Sequence, residues 1–155
     1  MTRQPLIEVQ NLKMYFPVGN TIFGKRKLLK AVDDVSFSLY PGETFGLVGE
    51  SGCGKTTVGR TVVRLYEPTA GRILFGGADI APLSEADVLP YRNRMQMIFQ
   101  DPYASLNPRM TIASIVAEPL RYQGMSPSEI NERVRGLIEQ VGLKEDHLSR
   151  YPHEF

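Results

Sequence analysis

Polar and apolar residues alternate along "LIEVQNLKMYF" (6–16) and "AVDDVSFSLYPG" (31–42), where Val35, Phe37 and Leu39 are set against Ser36, Ser38 and Tyr40. A period of two marks a strand with one face buried, so both stretches read as strands of a half-exposed sheet. Pro41 and Gly42 then turn the chain. The next run, "ETFGLVG" (43–49), does not alternate. Its apolar continuity predicts a central strand covered on both faces. A helix is predicted from about Lys55, with Val58, Val62, Leu65 and Tyr66 on one face and Pro68 as its limit. "GRILFGGADI" (71–80) predicts a strand and a Gly76-Gly77 turn, and "RMQMIFQ" (94–100) a further apolar strand.

Beyond Gln100 the texture changes. "DPYASLNPRMT" is rich in turn residues, after which helical spacing returns. Ser126-Pro127-Ser128-Glu129 has the form of a capping box with proline at the first helical position. Ile130, Val134, Leu137, Ile138 and Val141 recur at helical spacing, and Gly142 stands where that helix would end.

Composition narrows the class. A chain of 155 residues, 42% hydrophobic and 23% charged, suits one ordinary core. A net charge of +1 gives no broad electrostatic reason to expect nucleic acid or an anionic membrane as partner. No apolar run approaches the roughly 20 residues of a membrane helix, and "MTRQPLIEVQNLK" lacks the pattern of a secretory signal. Any membrane role is therefore expected to be peripheral. The single cysteine, Cys53, excludes an internal disulfide and suits a reducing compartment. The basic stretch "FGKRKLLK" (23–30) reads as a solvated hairpin tip, with phosphate or lipid contact as the alternative.

The chemistry concentrates in "GESGCGKTT", Gly49 to Thr57. It fits G-x-x-x-x-G-K-[ST] between an expected strand and an expected helix. Gly49, Gly52 and Gly54 permit a tight loop whose backbone N–H groups point inward at phosphate oxygens, and the helix N-terminus adds its positive end. Lys55 is then placed to reach β- and γ-phosphates, and the Thr56 hydroxyl to ligate Mg²⁺. Glu50, Ser51, Cys53 and Thr57 complete the candidate site.

The chain resembles the ATP-binding subunits of ABC transporters, in particular those of bacterial dipeptide and oligopeptide importers. The likeness runs through "NLKMYFPV", "LLKAVDDVSFSLYPGETFGLVGESGCGKTT", "IFQDPYASLNPRMT" and "VGLKEDHLSRYPHEF". It implies an α/β P-loop NTPase domain in partial form: an antiparallel β-subdomain (1–42 and 71–80), an incomplete parallel core (43–70 and 81–100) and, from 101 to 155, the Q-loop with the start of a helical subdomain. By resemblance, Gln100 is the Q-loop glutamine that meets Mg²⁺ and the attacking water. An aromatic ring near the end of the first strand would stack on adenine. Tyr15 and Phe16 are adjacent there and are expected to point to opposite faces, with Phe16 at the better-matched position; core packing is the competing role for each. The implied ligands are ATP and Mg²⁺. The implied partners are transmembrane permease subunits, a second ATP-binding subunit and, indirectly, a periplasmic or lipid-anchored solute-binding protein. No nucleic acid is implied, and the implied location is the cytoplasmic face of the inner membrane.

In that family "RYPHEF" leads into a Ser-Gly-Gly-Gln signature, a Walker B strand with its Asp and catalytic Glu, and a switch histidine, none of which occurs in these residues. The expectation is a fragment that binds nucleotide at most, lacks a general base for water, and self-associates or swaps elements through an uncovered "TFGLVG" edge. Two other readings stand beside it: a non-transport ABC ATPase, and a self-associating chain with an unformed phosphate site. Cys53 reads as a small loop filler, or as a site where alkylation would block nucleotide. His147 and His153 read as structural or exposed.

Overall fold

The computed structural model describes residues 3–19 and 27–155. The chain divides into two compact units, 1–97 and 98–155. In the first, strands β1 (Ile7–Val18), β2 (Lys27–Leu39), β3 (Ala70–Phe75) and β4 (Ala78–Asp79) form an antiparallel sheet in the order β2-β1-β3-β4. β1 is central, with Val9 opposite Phe37 on one side and opposite Ile73 on the other. Its register shifts between Val9 and Leu12, where Asn11 and Asp34 both take positive φ and the Asn11 side chain donates to Asp34 Oδ1 at 2.9 Å. The slip keeps Val9, Leu12 and Met14 on the buried face although their spacing is not strictly two. Gly76 and Gly77 make the expected turn between β3 and β4.

Helix α1 (Lys55–Val62) lays Val58 and Val62 onto the core that β1, β2 and β3 supply through Leu12, Val32 and Ile73. Leu65, expected on the same face, is exposed, because the helix has already stopped at Val62. Helix α2 (Glu85–Arg92) adds buried Val88; its N-terminal residue Ser84 accepts the Asp87 N–H.

The second unit pairs α3 (Ile112–Tyr122) with α4 (Pro127–Gln140). Ala117, Ile130, Val134 and Ile138 form its buried centre. The capping box is present in full: Ser126 accepts the Glu129 N–H, and the Glu129 carboxylate accepts the Ser126 N–H at 2.8 Å. That engagement holds the Glu129 carboxyl below its usual range, the Ser126 hydroxyl contributing most. Val141, expected on the buried face, is exposed beyond the helix end.

Two expected strands do not form. Residues 43–49 and 94–100 pair in no ladder among the described residues. A strand meant for burial on both faces needs neighbours on both edges, and the only sheet described is the antiparallel one. The run 43–49 is therefore exposed rather than central, Val48 to 91% and Phe45 to 43%. Phe45 stacks on the ring of Phe37, 5.1 Å between centres. The basic stretch is described only from Lys27; its residues 23–26 lie outside the described part.

Candidate functional site

β2 delivers the chain to Tyr40, where two reciprocal bonds make a turn: the Glu43 N–H donates to the Tyr40 carbonyl at 3.1 Å, and the Tyr40 N–H to Glu43 Oε2 at 2.9 Å. From Gly49 the chain curls back on itself. The Cys53 N–H donates to the Glu50 carbonyl at 3.3 Å, and the Val58 N–H to the Gly54 carbonyl at 2.9 Å, which opens α1. The Lys55 ammonium lies inside this curl. It donates to the carbonyls of Gly49 at 2.8 Å and Glu50 at 2.5 Å, with Cys53 Sγ at 3.6 Å.

Gly54 is the residue before the helix. Its φ of +95° suits glycine, and a Cβ there would stand 2.3 Å from the Ala31 carbonyl oxygen of β2. The start of α1 is thus pressed against the sheet with no room for a side chain. Gly54 offers no side-chain cap, and no acidic residue lies in the first turn. The first-turn N–H groups accordingly face outward with partial positive charge. Glu50, Ser51, Gly52, Cys53 and Thr56 are exposed, and Thr57 is half-buried. Such a donor set (an ammonium, uncapped helix amides and a hydroxyl) suits an anion with several oxygens.

The two aromatic residues at the end of β1 behave oppositely, as the alternation predicts. The Tyr15 hydroxyl donates to Asp33 Oδ1, and Lys30 lies 3.0 Å from the other oxygen and 5.3 Å from the centre of the Tyr15 ring. The bond to Asp33 raises the tyrosine pKa above its ordinary value; the bonds from Tyr15 and Lys30 hold the Asp33 carboxyl below its own. Phe16 packs against the buried cluster, edge-on to Tyr66 at 5.5 Å, just past the end of α1. Phe16 is thus on the α1 side of the sheet and Tyr15 on the other.

Gln100 belongs to the second unit, where it is exposed at a bend. Just beyond it, Asp101 accepts the Ala104 N–H at 3.1 Å and starts a short turn of helix. The first unit brings together Gly49 to Thr57 and carries Tyr15 and Phe16, and Gln100 is not part of it. His147 is half-buried and accepts the Lys144 N–H through Nδ1 at 3.2 Å; His153 is exposed against the Tyr151 ring. His147 thus takes a structural place and His153 an exposed one. Among the described residues no group of three or more His, Cys, Asp or Glu side chains could hold a metal ion, and no helix is long and apolar enough to cross a membrane. One contributor has no signal in the residue pattern: the Ala31 carbonyl, which meets Gly54 through its backbone.

Known proteins resemble this chain in sequence and fold. The chain is 52% identical to the oligopeptide transport ATP-binding protein AppF of Bacillus subtilis (strain 168), over 99% of its own length and 47% of that protein's. It is 50% identical to the oligopeptide transport ATP-binding protein OppF of the same organism, over 98% of its length and 49% of that protein's. The chain therefore spans about half the length of these relatives. Among solved structures, the dimeric structure of MJ0796, a bacterial ABC transporter cassette, superposes with a TM-score of 0.75 at 23% identity, over 96% of this chain and 62% of that one, a likeness of fold. Residues 32–155 match the ABC transporter family, and the chain belongs to that family.

Proposed function

We propose that this chain is the ATP-binding part of an importer subunit for oligopeptides or a related solute, and that residues 49–57 hold the phosphates of Mg-ATP. The observation that carries the reading is the uncapped start of α1, pressed by Gly54 onto Ala31, with Lys55 inside the loop that precedes it. Lys55 and the first-turn amides would bind the β- and γ-phosphates, and the Thr56 hydroxyl would ligate Mg²⁺. When bound, Mg²⁺ supplies charge neutralisation between phosphate oxygens. Phe16, on the α1 side of the sheet, is the better adenine platform, since the Tyr15 hydroxyl and ring are engaged by Asp33 and Lys30. Gln100 is assigned to orient water and Mg²⁺ once the full catalytic assembly is present.

The proposed partners are permease subunits at the cytoplasmic face of a membrane and a second ATP-binding subunit, in keeping with relatives described as transport ATP-binding proteins. ATP hydrolysis coupled to transport belongs to that assembly, and the part of it read from these residues is the holding of Mg-ATP. The exposed run around Leu47 and Val48 supports self-association of the isolated chain. Titration with Mg-ATP, followed by light scattering, tests the reading. Saturable binding that Lys55→Met abolishes is the expected result; equal binding by Lys55→Met would sink it.

A further inference from the structure

Helix α1 ends on a residue type that its backbone disfavours. The Arg64 N–H donates to the Thr61 carbonyl at 3.0 Å and the Leu65 N–H to the Arg60 carbonyl at 2.8 Å, the bond pair of a Schellman stop. That stop needs a left-handed residue, commonly glycine, yet Arg64 fills it at φ +58°. Its side chain is not in solvent; the residue is 2% exposed. Nε donates to the Ile80 carbonyl at 3.0 Å, Nη2 to that of Leu83 at 2.8 Å and Nη1 to that of Tyr66 at 3.5 Å. The Arg64 carbonyl in turn accepts from Arg92 of α2, whose guanidinium is paired with Glu85 at 2.7 Å.

These bonds do what the apolar contacts of α1 cannot. Val58 and Val62 hold the helix to the core by a force with no preferred direction, which tolerates sliding and rotation about the axis. Hydrogen bonds are directional. With eight residues, α1 is about 12 Å long, so a shift at its last turn is carried to Lys55 at its first.

We propose that Arg64 is a positioning residue for the phosphate loop. Gly54 against Ala31 fixes the front end of α1, and the Arg64 guanidinium, seated on the 80–83 turn, fixes its rotation and axial place from behind. The inference rests on the nucleotide reading of residues 49–57 for its consequence, though not for its geometry.

The test compares the parent chain with Arg64→Gly and Arg64→Lys. Glycine is at ease at this φ and keeps the helix stop, so Arg64→Gly removes the guanidinium and spares the backbone. Two quantities are measured where circular dichroism shows each chain folded: Mg-ATP affinity, and the rate at which iodoacetamide alkylates Cys53, which sits in the loop that α1 carries. Arg64→Gly is expected to weaken Mg-ATP by about ten- to a hundredfold, the affinity that one or two charge-assisted hydrogen bonds to phosphate carry, and to change the alkylation rate. Arg64→Lys is expected to fall between. A folded Arg64→Gly chain with parent affinity and parent alkylation rate overturns the proposal, leaving Arg64 as a helix stop alone. Should the parent bind no Mg-ATP, the nucleotide reading fails, and alkylation decides the positioning role: a changed rate upholds it and an unchanged rate removes it. Should Arg64→Gly not fold, Arg64→Lys decides by the same readouts, parent-like values counting against the guanidinium.

Discussion

The Ala31 carbonyl oxygen stands where a Cβ on Gly54 would have to be, 2.3 Å away. Sheet and helix therefore touch backbone to backbone at the head of the candidate phosphate site. Gly54→Ala must push α1 off β2 and also place a Cβ at positive φ, a combined cost of about 1–3 kcal/mol. The expected outcome is a lower thermal midpoint together with lost Mg-ATP binding. A Gly54→Ala chain that titrates like its parent would show that this contact does not shape the site.

Phe16 and Tyr15 separate by ligand. Phe16→Ala should weaken ATP while leaving inorganic pyrophosphate unaffected, because pyrophosphate has no ring to stack. Tyr15→Ala, which removes the ring together with its hydroxyl bond to Asp33, should leave both unchanged. Competition titrations with the two ligands measure this directly, and the reverse pattern would transfer the platform to Tyr15.

Asp79 gives the β3–β4 hairpin a pH dependence. Burial alone would raise its carboxyl, but Arg72 and the Ala81 and Ile73 N–H groups outweigh that and hold its pKa below the ordinary value. A carboxyl depressed in the folded state stabilises it above the unfolded pKa, about 3.9 for aspartate, and the contribution fades as pH falls through the folded value. Asp79→Asn is expected to cost about 1 kcal/mol at pH 7, since Arg72 is half exposed. The difference from the parent should shrink in acid denaturation below pH about 4. A gap that is constant with pH would rule out the charge as its source.

Ser126→Ala removes the hydroxyl that caps α4, which accepts the Glu129 N–H and donates to the Glu129 carboxylate at 2.5 Å, and leaves the backbone N–H at position 126 on that carboxylate. The loss should be about 1 kcal/mol. Amide exchange should quicken at residues 128–130 while the first unit is unaffected.

Local signals were legible where the chemistry is local. The alternation in 6–16 and 31–42 marked β1 and β2, Gly76-Gly77 marked a hairpin turn, and Ser126 to Glu129 marked a helix start, since in each case the residues that decide the structure are neighbours. The loop from Gly49 to Thr57 was readable because its glycines, lysine and threonines serve one short stretch of backbone. The strand reading of 43–49 and 94–100 was not realised: apolar continuity states that a segment should be covered, and the cover has to come from elsewhere. Ile98, 93% exposed, and Val48 are where that dependence shows. Arg64 was illegible for the same reason, since only the fold brings the 80–83 turn under its guanidinium.

The placement of β1 between β2 and β3 also sets an order of events during synthesis. The β1–β2 hairpin is complete once residue 39 has left the ribosome, whereas the other edge of β1 must wait for Ala70–Phe75. Residues 49–57, the candidate phosphate loop, and α1 emerge in that interval, as the closing loop between two partners of the same strand. Closing a long loop costs entropy that only the later pairing returns. The nascent chain thus carries its candidate nucleotide site through a stage with one side of its sheet unsealed, and capture of β3 is the step that ends it.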